Sequence, residues 1–141
     1  MTRFAGGPND SPGFLLWRAT MRWQRALAAA LAPLDLTHVQ FVLLACAWWL
    51  GEHGDPPRQS QVAAQAGTDP KMTSDVVARL EAKGLVRRTV DPTDARAKYV
   101  LVTSAGAVLA ARAIGVVEEA DAAFFADVDA AALLSTLAGL E

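Results

Sequence analysis

The chain has 141 residues, of which 52% are hydrophobic and 20% are charged, so it can bury a core and is not an intrinsically disordered polymer. Its length suits one domain, and no window approaches ~18 uninterrupted apolar residues, which argues against a membrane span. The single cysteine, Cys46, excludes an internal disulfide and indicates a reducing, cytoplasmic location. The N-terminus lacks the apolar core of a signal peptide, so export is not expected.

The net charge of −2 conceals a segregation of charge along the chain. Residues 1–69 contain five basic and five acidic side chains, residues 70–103 contain seven and four, and residues 104–141 contain one and six. Salt screens charges beyond about 8–10 Å, so a local basic surface is what contacts phosphate. The basic segment is therefore either a DNA-contacting surface or an ordinary solvated face.

The first helix is predicted from Phe14 to Leu34, after a loose arm of residues 1–13 rich in Gly and Pro, and Pro33 marks its end. Its apolar residues form two stripes, one made of Leu16, Thr20, Trp23, Leu27, Ala30 and Leu34 and the other of Phe14, Trp17, Met21 and Ala28. A helix that is apolar on two sides is normally buried between two surfaces, here its own core and a partner chain.

The second helix is predicted from Leu36 to Gly51, with the sequence LTHVQFVLLACAWWLG. Thr37 and Gln40 have the spacing of a capping box, in which the hydroxyl accepts from the N3 amide and the glutamine reaches back. Leu36 and Phe41 suit the hydrophobic staple that accompanies such a cap. The body of the segment is almost wholly apolar, which predicts the central core helix.

Two short helices follow, from Gln59 to Ala66 and from Pro70 to about Lys83, separated by a turn that contains Gly67. Asp69 is the predicted N-cap of the second, and proline is tolerated at its first position. This arrangement predicts a helix-turn-helix whose second member is the recognition helix. Its predicted inward residues are Thr73, Val76, Val77 and Leu80, and its outward residues are Lys71, Met72, Ser74, Asp75, Ala78 and Arg79.

A β-hairpin is predicted next, because two strand-like runs, Leu85–Val90 and Lys98–Thr103, flank a polar loop that opens Asp91-Pro92-Thr93-Asp94. Basic residues occupy both arms and the loop, namely Arg87, Arg88, Arg96 and Lys98. A hairpin this short is marginal alone and must lie against helices. A basic hairpin directly after a helix-turn-helix indicates the wing of a winged helix.

The C-terminal part is predicted to be helical, with Thr103 capping a long Ala-rich helix to about Ala123 and a short helix over residues 129–140. Its terminal leucines need a partner surface; they are Leu133, Leu134, Leu137 and Leu140.

This order of elements resembles the MarR family of transcriptional regulators. The most specific matches are the segments LTHVQFVLL, VVARLEAKGLVRR and DPTDARAKYVLVT, and the last of these is similar to the wing signature of that family. With the helix order, the likeness covers about residues 14–140. The fold it implies is mainly α with a small β-hairpin wing.

The resemblance implies one domain over residues 1–141, with dimerisation helices at about 14–34 and 104–140 around a winged helix-turn-helix lobe at about 36–103. It implies a homodimer on double-stranded DNA with a pseudo-palindromic operator. The recognition helix would enter the major groove and the wing the flanking minor groove. In the wing motif, the position of Asp94 braces the position of Arg96, which inserts toward the minor groove.

Physical chemistry supports these roles independently of the family. A narrow minor groove is electronegative and favours a held guanidinium, and an aspartate two residues away can hold it by a charge-assisted pair. Phosphate contacts would give affinity and register; the predicted ones come from Lys71, Arg79, Arg87, Arg88 and Lys98. The other predicted DNA-contacting positions are Pro70, Met72, Ser74 and Asp75.

Asp75 departs from the residues that many relatives place on this helix, which are basic or amide side chains. A carboxylate near DNA accepts only from base donors such as cytosine N4. Asp75 is therefore either a base reader or the ion-pair partner of Arg79 one turn later.

The chain contains four tryptophans, which is a high number for its length. The resemblance implies an aromatic effector, because the family often holds one between the dimerisation helices and the DNA-binding lobe. The residues on elements that would line such a cleft are Trp17, His38, Trp48 and Trp49. The alternative for each is packing in the core or the dimer. Cys46 lies mid-helix among apolar residues, which favours a core position over a redox switch.

No arrangement of catalytic residues is present, because the serines lack a matching His and Asp and there is no Gly-rich phosphate loop. The two histidines and Cys46 lack metal-ligand spacing, so neither a metal nor another cofactor is expected. The predicted function is a sequence-specific DNA-binding regulator, a homodimeric repressor relieved by a small ligand. The alternative is a winged-helix protein-interaction module that does not bind DNA.

Overall fold

A computed structural model describes all residues, 1–141, and contains six α-helices and one antiparallel hairpin. The helices are α1 (Pro12–Leu31), α2 (His38–Glu52), α3 (Gln59–Ala66), α4 (Pro70–Ala82), α5 (Ser104–Phe124) and α6 (Ala130–Ala138). The strands are β1 (Val86–Asp91) and β2 (Asp94–Val102), and short 3-10 helices span Gly7–Asp10 and Ala32–Leu34. The predicted winged helix-turn-helix architecture is confirmed.

The ends of α1 differ from the prediction at both termini. The helix begins at Pro12, within the predicted arm, because the Ser11 hydroxyl accepts from the Phe14 amide at 3.2 Å and proline suits the first turn. It ends at Leu31, and Pro33 lies in the 3-10 turn that follows. The predicted start at Phe14 was wrong because Ser11 was not recognised as a cap.

The start of α2 forms as predicted, and its end does not. Thr37 and Gln40 make the full capping box, with both reciprocal bonds at 3.2 Å. The helix continues through Gly51 to Glu52, since the backbone of Gly51 does not take the left-handed conformation that ends a helix.

The core is built around α2, which packs against α3, α4, α5 and β2. Helices α1 to α5 and both strands contribute side chains that are exposed by 2% or less: Leu27, Leu31, Leu43, Leu44, Ala47, Val62, Val77, Leu80, Val86, Val100, Ala110 and Ala113. The prediction of a central core helix is therefore confirmed. No single helix is long and apolar enough to cross a bilayer, although the bent pair Pro12–Leu34 and His38–Glu52 reaches that length and composition together.

Two apolar surfaces stay uncovered within the chain. The first turns of α1 expose Phe14, Leu15, Leu16 and Trp17 by 40% to 60%. Helix α6 has no buried residue, and Leu134, Leu137 and Leu140 are exposed. Only the C-terminal half of α1 is buried in the chain itself, through Leu27 and Leu31.

Candidate nucleic-acid interface

The helix-turn-helix is held by local contacts in its turn. Gly67 ends α3 with a φ of 72°, a left-handed conformation that glycine adopts without strain. The Asp69 side chain accepts from the Met72 amide at 2.8 Å and so caps α4, as predicted. The buried hydroxyl of Thr73 bonds to Thr68 at 2.7 Å and to the Asp69 carbonyl at 2.8 Å. These bonds set where the N-terminus of α4 points.

We expect Asp69→Ala to lower the free energy of unfolding by about 1 kcal/mol, because the Met72 amide loses its acceptor. Urea unfolding followed by far-UV circular dichroism at fixed protein concentration measures the change. Asp69→Asn is the matched control, since asparagine is an equally good cap. Its free energy of unfolding should remain close to that of the parent chain. Equal losses in both variants would contradict a capping role.

Helix α4 divides into the two faces that were predicted. Thr73, Val76, Val77 and Leu80 are buried. Pro70, Lys71, Met72, Asp75 and Arg79 are exposed, while Ser74 and Ala78 are partly buried. The inward face therefore anchors the helix, and the outward face is free to meet a partner.

Asp75 pairs with Lys71 rather than with Arg79, so the predicted pairing was wrong. The Lys71 Nζ atom lies 3.2 Å from the Asp75 carboxylate, and both side chains are well exposed. Lys71 and Arg79 both lie four residues from Asp75 and so within reach of it, and the structure selects Lys71. Arg79 makes no ion pair or side-chain hydrogen bond in the structure and is left free.

The predicted arms of the hairpin pair from Val86 with Val102 to Val90 with Lys98, and beyond them the ladder is irregular, with Asp91 paired to Asp94. Strand β2 begins at Asp94, so Arg96 lies in a strand and not in a loop, and only Pro92 and Thr93 lie between the strands. The side chain of Asp91 accepts from the Thr93 amide at 2.8 Å, which closes the turn. The polar residues 94–98 were predicted as loop because exposed strands need no apolar pattern.

The predicted pair of Asp94 and Arg96 forms at the outer part of the wing. The Asp94 carboxylate accepts from the Arg96 amide at 3.0 Å and from its Nε atom at 3.3 Å. The Arg96 side chain remains 93% exposed, with its terminal nitrogens free of protein contacts. Asp94 therefore holds the Nε atom of Arg96, while the two terminal nitrogens of the guanidinium stay exposed.

Arg88 is occupied inside the lobe, so its predicted phosphate contact would compete with protein partners. Its side chain is only 16% exposed and lies 3.4 Å from Glu81 and 3.4 Å from Gln59. The Arg88 amide also donates to Glu81 at 2.9 Å, and this bond is the main cause of a lowered pKa of Glu81. Arg88 therefore ties β1 to α4 and α3. Arg87, the preceding residue, is exposed on the opposite face of the strand.

A cleft of about 700 Å³ separates the wing from the start of α3 and α4. Its lining is mostly polar and includes Ser60, Pro70, Ser74, Asp94, Arg96 and Lys98. Arg58 and Gln59 are among the lining residues that the sequence did not assign to the interface. Arg58 was counted with the neutral N-terminal half, and its position immediately before α3 was the signal that could have placed it here.

The four candidate ligand residues do not meet in one cavity of the chain. Trp17 is 60% exposed, and Trp49 stacks on His53 with ring centres 3.6 Å apart. Trp48 lines a shallow groove of about 190 Å³ beside the base of the wing. Near the start of α2, His38 packs edge-on against Trp23.

Two titratable side chains of α2 have pKa values shifted by burial. Burial lowers the pKa of His38, and the charge of Asp121 partly opposes this shift. Asp121 also accepts from the indole of Trp23 at 2.7 Å, which joins α1 to α5. Burial raises the pKa of the Cys46 thiol, which lowers the fraction of reactive thiolate and agrees with a core position.

Comparison with known proteins decides the family. The model of the MarR family matches residues 36–98, which run from the start of α2 through most of the wing. The HTH-type transcriptional regulator YdcH of Bacillus subtilis is 46% identical over 120 residues, or 85% of this chain and 82% of that protein. The chain belongs to the MarR family.

Solved MarR structures agree with this fold. The regulator CouR of Rhodococcus jostii RHA1, bound to p-coumaroyl-CoA, is 29% identical with a TM-score of 0.82, covering 96% of this chain and 93% of that one. CouR bound to a 23-mer DNA duplex is 26% identical with a TM-score of 0.82, and 99% of each chain is covered. As a MarR protein, the chain is a DNA-binding transcriptional regulator and not an enzyme.

Proposed function

We propose that this MarR protein is a homodimeric repressor that places α4 in the major groove of an operator and its wing at the flanking minor groove. The observation that carries the proposal is the cleft between α4 and the wing, which Arg96 and Lys98 line from one side. Lys71 and Arg79 are exposed on α4 and add positive charge. Because Lys71, Arg79, Arg87 and Lys98 are exposed while Arg88 is engaged, we assign the phosphate contacts to these four residues.

The uncovered apolar surfaces support the dimer. The exposed turns of α1 and the whole of α6 lie at the two ends of the chain, where the dimerisation helices were predicted. Monomeric proteins rarely leave large contiguous apolar surfaces in water, so a second copy is the partner that would cover them. A two-fold dimer would place two recognition helices on half-sites about one helical turn apart, hence a pseudo-palindromic operator.

A small aromatic ligand is proposed to release the repressor. CouR was solved with an aromatic acyl-CoA, and here Trp17, His38, Trp48 and Trp49 lie on α1 and α2. Because the chain alone does not gather them, a pocket that uses them would be completed by the second subunit. A ligand that prefers a dimer with misplaced recognition helices would lower the population that can bind DNA. Such a regulator works beside the DNA, in the cytoplasm.

Salt dependence tests DNA binding most directly. We expect the affinity for a fragment of the protein's own upstream region to fall by more than tenfold between ~50 and ~200 mM salt, because several phosphate contacts release counterions. Fluorescence anisotropy with labelled DNA measures this, and a shuffled fragment of the same length is the control. Absence of binding to any upstream fragment at low salt would favour a protein-interaction module instead.

A further inference from the structure

The outer part of the wing is anchored to the lobe through a buried carboxylate. The base of the hairpin is held by buried Val86 and Val100, but the tip that carries Arg96 is mostly exposed. Asp91 is the exception near the tip, because it is 2% exposed although it lies at the end of β1. A charged group is rarely buried to this degree unless it is paired and hydrogen-bonded.

The two oxygens of Asp91 have different partners. Its Oδ1 atom accepts from the amide and the hydroxyl of Thr93 at 2.8 and 2.7 Å, which shapes the turn. Its Oδ2 atom faces the guanidinium of Arg58 at 2.6 Å. The bonds from Thr93 and the charge of Arg58 together hold the pKa of Asp91 below its usual range. The carboxylate therefore stays ionised, and its buried second oxygen makes no hydrogen bond and faces the charge of Arg58.

Arg58 contacts both the helix-turn-helix and the wing. It is the N-cap residue of α3, where its amide donates to Gln61 at 2.8 Å. Its backbone forms a bridge to Tyr99 of β2, and the Val100 amide donates to the Pro57 carbonyl at 2.9 Å. The backbone contacts hold the middle of β2 against the residues before α3, and the pairing of Arg58 with Asp91 extends this contact toward the tip of the hairpin.

We propose that Arg58 is a positioning residue, which holds the wing through Asp91 so that Arg96 meets the minor groove. This inference rests on the proposed function, since it assigns a task to the wing in DNA binding. The Arg58 side chain is 43% exposed in the cleft, so the competing role is a direct phosphate contact. The two roles differ in what they predict for Asp91.

Asp91→Asn separates the two roles because it removes the partner of Arg58 without removing a positive charge. An asparagine oxygen still accepts from Thr93, so the turn is kept. A positioning role predicts that Arg58→Met and Asp91→Asn each weaken DNA binding about tenfold. A phosphate contact predicts loss in Arg58→Met alone, with Asp91→Asn binding as tightly as the parent chain, and that result would overturn the proposal.

A double-mutant cycle with Arg96→Ala adds a second criterion. If Arg58 acts through the placement of Arg96, then adding Arg58→Met to Arg96→Ala should weaken binding by no more than about twofold further. Independent losses that multiply would contradict the positioning role. Arg112→Met, at an exposed position on α5 outside the lobe, controls for the general loss of positive charge.

Amide hydrogen exchange in the DNA-free protein tests the anchor without DNA. The amides of residues 93–98 should exchange faster in Arg58→Met and Asp91→Asn than in the parent chain, while Arg112→Met should match the parent. Unchanged exchange in both wing variants would overturn the anchor even if they bind DNA poorly. Failure of the parent chain to bind DNA, with faster wing exchange in the variants, would refute only the proposed function. Thermal unfolding confirms that each variant is folded.

Discussion

Arg96→Ala is expected to weaken operator binding by tenfold or more while the dimer stays intact. The side chain is 93% exposed, so its loss removes little that holds the fold together. Its contribution to DNA binding is larger, because a narrow A·T-rich minor groove concentrates negative potential that attracts a guanidinium. Since Asp94 already holds the Nε atom of Arg96, the side chain loses less conformational freedom on binding. Anisotropy titrations measure the affinity, and size-exclusion chromatography checks the dimer.

Two controls make the Arg96 result specific. Arg96→Lys keeps the charge but loses the planar guanidinium and the Nε bond to Asp94. Its affinity for the operator should therefore lie between those of the alanine variant and the parent chain. The loss should also be smaller on operators whose wing-flanking base pairs are G·C, where the minor groove is wider. Unchanged affinity of Arg96→Ala on the A·T-rich operator would remove the wing from the mechanism.

Gly106→Ala is expected to lower the free energy of unfolding by at least about 2 kcal/mol, because a side chain at this position overpacks the joint between α5 and the wing. A Cβ atom there would overlap the carbonyl oxygen of Leu85 and lie 2.9 Å from Val102 Cγ1. The same carbonyl accepts from the Thr103 amide at 3.0 Å. Since the obstacle is backbone, relief requires α5 to shift, and urea unfolding at fixed protein concentration measures the cost.

Gly115→Ala is the matched control on the same helix. A Cβ atom at Gly115 would meet nothing within 4 Å, so the substitution should raise stability by about 0.5–1 kcal/mol through helix propensity. Opposite signs for the two variants would show that packing, and not glycine content, decides the result. A Gly106→Ala variant as stable as the parent chain would contradict the tight contact with Leu85.

Much of the candidate site could be predicted because its causes are local in the chain. Asp69 caps the recognition helix three residues away, and Asp94 holds Arg96 two residues away. The start of β2 was less accurate, since Asp94 pairs with Asp91 beyond an irregularity in the ladder and the residues between Asp94 and Lys98 have no apolar pattern. Spacing alone did not specify the partner of Asp75, because Lys71 and Arg79 are both four residues away from it.

Long-range contacts account for what the sequence did not reveal. Lys83 illustrates them, because its ammonium group reaches the Asp35 carbonyl and the Gln40 side chain, the latter at 3.0 Å and 43 residues away. Arg88 was assigned to phosphate by its charge, and the structure places it against Glu81 and Gln59 instead. In both cases the partner lies on another element of the fold, and packing of the whole core brings that element next to the basic side chain.

The sequence by itself determined the helix order, the caps of α2, α4 and α5, the basic segment and the wing pair, because each follows from interactions within a few residues. Only the tertiary structure decided which basic residues are free for DNA. It engaged Arg88 within the lobe, left Arg79 without a partner and paired Arg58 with a buried aspartate. The physical reason is that a side chain's availability depends on what folds against it, and charge alone does not encode that.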